Sequence, residues 1–302
     1  MHPLEALNES ELGSLTRVAS RLLNTRNLLA PGHRPSQRRP GFGIEFLDFR
    51  EFTAGDDIRD VDWRITARSR HPQIRRYNDE AAADWFIVLD CSASMAHSSS
   101  DGSSDDNGKK WPLAVQSAAA MAYLLLNLGN RVSVLLFSNR IEQMVHLGRG
   151  DTHYAGILLM LRQFAPAKSG GGSDLRSCVR HIKHRSPVFV ISDFLTADSM
   201  QDGLNALSIR GDRLHALQIL SSRDYQLPAE QNVRFKDVET GESITAELND
   251  SERKRHHMAL ASLSDSLADY CRKQDIRFST HMDNESWKSV LIAHLLERNR
   301  QS

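Results

Sequence analysis

From residue 84 onward the chain alternates short, continuously apolar runs with segments of helix length, and this alternation restricts the fold more than any other feature. The runs FIVLD (86–90), RVSVLLFS (131–138), IEQMVHL (141–147), PVFVIS (187–192), RLHALQIL (213–220) and IRFSTH (276–281) read as strands. Helices fit between most of them at 112–128, 152–164, 175–184, 199–209 and 251–273, with a last one at 285–299. Strands that are apolar on both faces need cover on both, which is the condition of a parallel sheet with crossover helices. The step from Ser138 to Ile141 is too short for a crossover, so 141–147 should run antiparallel at an edge. The expected fold class is α/β: a doubly wound, mostly parallel sheet with one antiparallel edge strand, in a domain spanning 84–302. FKDVETGESIT (235–245) reads as a hairpin insertion turning at Glu239-Thr240-Gly241.

Residues 1–83 form the other expected region. Leu12, Leu15, Ala19, Leu22 and Leu23 recur at helical spacing, with Val18 beside them, giving an amphipathic leading helix over 4–25 that should dock on another element. A Pro-, Gly- and Arg-rich stretch (26–43) reads as a basic linker. Between 44 and 80 the apolar residues Ile44, Phe46, Phe49, Ile58, Val61, Trp63 and Ile65 alternate with polar ones around TAGDD, which predicts a small β region of strands joined by a turn, with Trp63 in its core.

Composition then excludes several classes of function. Lys+Arg and Asp+Glu are equal at 38 each, so the net charge of zero argues against general nucleic-acid binding. No apolar run approaches the ~20 residues needed to span a bilayer, and the first residues lack the basic and apolar regions of a signal peptide. The expectation is a cytoplasmic protein without a membrane span. Cys91, Cys178 and Cys271 are widely spaced and odd in number, which predicts free thiols rather than a disulfide framework or zinc site. HSSSDGSSDDNGKK (97–110) has the composition of a mobile loop.

In an open α/β sheet, ligands bind beyond the carboxyl ends of the strands, near the point where strand order reverses. Three segments should deliver oxygens to that edge. DCSAS places Asp90, Ser92 and Ser94 after the first strand, SGGGSD carries Ser173 and Asp174, and SDF ends its strand at Asp193. A hard cation such as Mg²⁺ takes six oxygens, using one or two carboxylates and retaining waters. Asp90, Ser92, Ser94, Ser173 and Asp193 suit it, with Mn²⁺ as an alternative. Hydroxyls neutralise little of the charge, so such a cation would attract a further carboxylate from outside.

This pattern resembles the metal-ion-dependent adhesion site of von Willebrand factor A domains, in Asp90-x-Ser92-x-Ser94, in Ser173 where that family usually has Thr, and in Asp193. GIEFLDFREFTAGDDIRDVDWRITAR (43–68), followed by DCSASM and SDF, resembles the bacterial "domain of unknown function 58" family from about residue 40 to the C-terminus. The resemblance implies a von Willebrand A-like domain and association with MoxR-type AAA+ ATPases, as an adaptor or co-chaperone. The partner, that ATPase or its client, would supply an acidic residue to the metal. The expected function is thus a metal-dependent protein-interaction module and not an enzyme. Asp174, Asp56 and Asp57 are candidates for partner contact or support of the site.

Other readings compete with these. Asp90, Ser92 and Ser94 could simply cap the next element or form a turn. A metal-dependent hydrolase could use the same cation, but the sequence has no G-x-S-x-G or HExxH signature, and the motif after the first strand, Asp90-Cys91-Ser92, is not a D-x-D start. A scaffold with a vestigial site would be indifferent to Mg²⁺. GSSDDNGKKW is not a P-loop, because Gly102 and Gly108 are one residue too far apart and Lys110 stands where the hydroxyl belongs. Asp56, Asp57, Asp60 and Asp62 could form an acidic surface. The pairs His181/His184 and His256/His257 read as solvated helix residues.

Overall fold

The computed structural model describes residues 2–24, 45–53, 61–69, 71–78, 82–96, 110–166, 172–195, 197–225, 227, 232–236 and 243–297. The chain divides into two compact units, Met1–Leu28 with Ala83–Ser302, and Leu29–Ala82.

The large unit is built on a six-stranded sheet. Its strands are β3 (Asp84–Asp90), β4 (Arg131–Phe137), β5 (Ile141–Gly148), β6 (Val188–Ser192), β7 (Leu214–Leu220) and β10 (Arg277–Met282), in the spatial order β10-β7-β6-β3-β4-β5. All neighbours are parallel except β4 and β5, which pair antiparallel at one edge as the short connection predicts. β3, β6 and β7 are almost wholly buried, in keeping with apolar runs covered on both faces.

Its helices are α1 (Glu9–Asn24), α3 (Ala93–Ala96), α4 (Lys110–Asn127), α5 (Asp151–Gln163), α6 (Arg176–Val179), α7 (Ala197–Arg210), α8 (Asp250–Lys273) and α9 (Trp287–Leu296). One core gathers Phe86 and Val88 of β3, Val190 of β6, Leu204 and Leu207 of α7, and Leu267 and Cys271 of α8. α4 packs against α9, α1 and the Pro3–Ala6 turn. Leu12, Leu15 and Ala19 of α1 are buried, so the leading helix docks with its expected face. All three thiols are free and buried. β8 (Asn232–Lys236) and β9 (Ser243–Glu247) form the expected antiparallel hairpin, while its turn lies outside the described residues.

One helix expectation changes markedly. The predicted helix at 175–184 shortens to α6. Past Val179 the chain goes on in tighter turns, in which the His181 and Ile182 N–H groups donate to the Cys178 and Val179 carbonyls, and Arg210 Nε donates to the Ile182 carbonyl at 2.6 Å. α8 starts on a capping box, in which Asn249 and Glu252 satisfy each other's backbone N–H groups.

In the small unit, β1 (Glu45–Glu51) and β2 (Gln73–Asn78) pair antiparallel with an irregularity between Phe46 and Asp48, and Val61 bridges Ile74. The alternation through Trp63 and Ile65 does not continue as a strand. Asp62 accepts hydrogen bonds from the Arg64 and Ile65 N–H groups and caps a helical turn, α2 (Trp63–Thr66), which leaves Trp63 62% exposed rather than in a core. Asp62 is therefore a buried cap, while Asp56, Asp57 and Asp60 lie outside the described residues. Among the described residues no helix is long and apolar enough to cross a membrane.

Candidate functional site

β3 and β6 are neighbours, but the chain leaves β3 toward β4 on one side and leaves β6 toward β7 on the other. Their carboxyl ends therefore flank the point where strand order reverses. The register pairs Leu89 with Ile191, so the next residues, Asp90 and Ser192, emerge side by side.

Asp90 is fully buried, and three donors converge on it. Ser192 Oγ and Ser173 Oγ both donate to Oδ2, at 2.6 and 2.7 Å, and the Ser92 N–H donates to Oδ1 at 2.9 Å. This last bond folds the chain back after β3, and α3 starts one residue later. The Ser92 and Ser94 hydroxyls stand 3.0 Å apart. Burial and the neighbouring Asp193 charge push the Asp90 carboxyl up to about 6, although Ser192, Ser92 and Ser173 each favour its ionised form.

The turn after β6 is held by an unusual backbone. Phe194 has φ 52°, a conformation costing a non-glycine residue roughly 1–2 kcal/mol. Its N–H donates to Ser192 Oγ at 3.0 Å, and its buried ring meets Phe278 edge-on, with centroids 6.4 Å apart. Anchoring the ring in the core sends Asp193 to the sheet edge. Asp193 is 2% exposed; its Oδ1 accepts the Leu195 N–H at 3.3 Å, and the side-chain amide of Gln218 holds its carbonyl at 2.9 Å.

Asp193 Oδ2 accepts from Lys110 Nζ at 3.0 Å. Lys110, the first residue of α4, is itself 1% exposed, and its ammonium also reaches Asp224 Oδ1 at 3.2 Å. Asp224 belongs to the loop after β7. Its Oδ2 accepts the Ser221 N–H at 2.7 Å, and its carbonyl bonds His256 Nε2 at 2.8 Å, so His256 supports this loop rather than facing solvent alone. Burial works against the Lys110 charge, yet the two carboxylates hold it above the ordinary lysine value.

Asp90, Ser92, Ser94, Ser173 and Asp193 thus sit at one sheet edge, with Asp90, Ser173 and Ser192 in direct contact. Asp174 is turned aside, because its carboxylate accepts from the Arg176 N–H and Nε at 3.1 and 3.0 Å. Sequence reading missed Ser192, Lys110 and Asp224. Asp224 was accessible by the rule used for Asp193, since it too follows a parallel strand at this edge. Cys91, between the site residues, donates to the Phe137 carbonyl, and burial pushes its thiol well up, which keeps it protonated and inert.

Chemically, the edge is a hard, oxygen-rich environment with three carboxylates against one ammonium. Two of those carboxylates, on Asp90 and Asp193, are buried and repel each other, which is a setting suited to a cation. Among the described residues no three His, Cys, Asp or Glu side chains converge to hold a metal by themselves. A cation here would rely on serine hydroxyls as well, and the donor set fits Mg²⁺ or Mn²⁺ better than a softer ion.

The family model described as "Protein of unknown function DUF58" matches residues 48–265. Uncharacterized proteins of Mycobacterium bovis and of two strains of Mycobacterium tuberculosis are 31% identical to the chain over 206 residues. The match covers 67% of this chain and 63% of each relative, so the chain spans somewhat under two thirds of their length. Among solved structures, the conserved hypothetical protein BatB from Bacteroides thetaiotaomicron aligns with 11% identity and a TM-score of 0.38, over 71% of this chain and 97% of that one. The PilB minor pilin from Streptococcus sanguinis aligns with 12% identity and a TM-score of 0.36, over 76% and 64%. Likenesses this distant carry no functional argument.

Proposed function

This chain belongs to the DUF58 family of proteins of unknown function, and we propose that it is a metal-dependent protein-interaction module with a von Willebrand A-like domain. Asp90, Ser92, Ser94, Ser173 and Asp193 would hold Mg²⁺ or Mn²⁺ as an adhesion site, and the bound ion would recruit a carboxylate from a partner protein. The observation that carries this reading is the convergence of Ser173 and Ser192 on Asp90 beside a second buried carboxylate, Asp193. Buried carboxylates repel unless a positive charge lies between or near them. Neutral hydroxyls contribute dipoles without cancelling the ion's charge, so the ion keeps an appetite for an anionic ligand from outside.

The resemblance noted from the sequence supplies the class of partner: a MoxR-type AAA+ ATPase or its client, with this chain as adaptor or co-chaperone. Affinity capture on the full chain, followed by mass spectrometry, tests the proposal. An AAA+ ATPase or its client should be retained with Mg²⁺ and lost on adding EDTA or in Asp90→Ala. Capture that is indifferent to both would overturn it.

A further inference from the structure

Lys110 is in an improbable place for a lysine. It opens α4, where the helix dipole disfavours positive charge, and it is among the most deeply buried side chains of the protein. Lysine is almost never fully buried unless paired. Its pairing draws on two separate loops, Asp193 after β6 and Asp224 after β7, at 3.0 and 3.2 Å. The pairing places a single positive charge on the carboxylate that the metal reading assigns as a ligand.

We propose that Lys110 is a built-in competitor for that site: its ammonium neutralises Asp193 when no divalent ion is bound and is displaced toward Asp224 when one is. The inference rests on the metal reading above and adds its regulation. An ammonium and a dication sharing Asp193 Oδ2 repel strongly in a buried setting, so the two compete for that oxygen. Asp224, which already shares the ammonium, remains as the resting partner. The carboxylate of Asp224 is the less buried of the two, at 17% side-chain exposure against 3%, so an ammonium drawn toward it moves toward solvent rather than deeper into the core. Metal loading is thereby coupled to the first turn of α4 and to the loop after β7, which His256 ties to α8.

The competition has a direct test by calorimetry on the full chain with MnCl₂ and MgCl₂. Lys110→Gln removes the charge and keeps donors for both carboxylates, Lys110→Met removes both, and Lys110→Arg keeps the charge. The expected result is that the uncharged variants bind metal at least roughly tenfold more tightly than the native chain, while Lys110→Arg does not. Metal binding by the native chain with equal or weaker binding by Lys110→Gln and Lys110→Met would overturn the competition and leave the metal reading standing. Binding by the uncharged variants alone would uphold Lys110 as the competing cation and overturn the reading that the native site is loaded. Absence of binding in every variant would overturn both. Thermal melts in EDTA establish that each variant is folded; if Lys110→Met is not, Lys110→Gln decides.

Discussion

Ser173 Oγ and Asp90 Oδ2 meet at 2.7 Å although they lie 83 positions apart in the chain. With Ser192 on the same oxygen, the contact ties the loop before α6 to the ends of β3 and β6 around a buried carboxylate. Its consequences can be measured.

Asp90 makes the metal response depend on pH. Its carboxyl is pushed up to about 6 in the fold, above the ~3.9 of an unfolded chain. The sign follows: its contribution to stability is fully present below pH ~4 and is lost as pH rises through about 6, where the buried charge appears. A divalent cation offsets that loss only above the window. Mg²⁺ at a hundredfold its Kd should stabilise the protein by about 2.7 kcal/mol at pH 7.5, and by much less at pH 5. Urea melts with Mg²⁺ and with EDTA at the two pH values check this.

His215 and His294 act in the opposite sense. Their rings are buried and meet at 3.2 Å, Nδ1 to Nε2, and His294 Nδ1 bonds Ser279 Oγ at 2.6 Å. Burial pushes His215 down to about 3 and His294 well below the ordinary value. Both must stay neutral, so their contribution is present above pH ~6.5 and lost on acidification, by roughly 1.4 kcal/mol per pH unit for each ring. Replacing both, as His215→Phe with His294→Leu, should flatten the stability profile between pH 6.5 and 4.5 relative to the native chain. Parallel profiles from urea titrations would contradict it.

Phe194 gives a test of the backbone at the site. Phe194→Ala removes a buried ring and should cost about 3–5 kcal/mol. Glycine normally destabilises relative to alanine, but at φ 52° the order should reverse, making Phe194→Gly at least as stable as Phe194→Ala. Thermal unfolding of the two variants ranks them, and both should bind metal more weakly because Asp193 loses its support.

Asp84, at the opposite end of β3 from Asp90, provides a contrast to the proposed metal site. At the start of β3 it accepts from Arg131 Nε and Nη2 at 2.6 Å and from Lys183 Nζ at 2.8 Å. Burial raises its carboxyl, but these partners outweigh it and leave the group below the usual value. That stability is present above pH ~4 and lost below it. Asp84→Asn should cost on the order of 1 kcal/mol at pH 7 while leaving Mg²⁺ affinity unchanged. Chemical denaturation and calorimetry on the same sample separate the two effects.

Most of this architecture was legible in the sequence where the signal was local. Continuous apolar runs such as Phe86–Leu89 announced buried strands, the step from Ser138 to Ile141 announced the antiparallel edge, and the sheet-edge rule brought Asp90, Ser173 and Asp193 together. Local pattern failed where a cap or a tertiary bond intervened. Asp62 turned an alternating stretch into α2, and past Val179 the expected helix gave way to tighter turns whose Ile182 carbonyl is taken by the Arg210 side chain. Lys110 was illegible for another reason: nothing in GKKW says that one lysine turns inward, because its partners lie 83 and 114 residues away. Charge pairing across such distances is fixed by packing and leaves no periodicity to read.

The most direct measurement of the central claim is isothermal titration of MnCl₂ into the full chain and into Asp90→Ala. One saturable site in the native chain, absent from the variant while the variant remains folded, is the expected result. No binding to the native chain, or binding that survives Asp90→Ala unchanged, would contradict it.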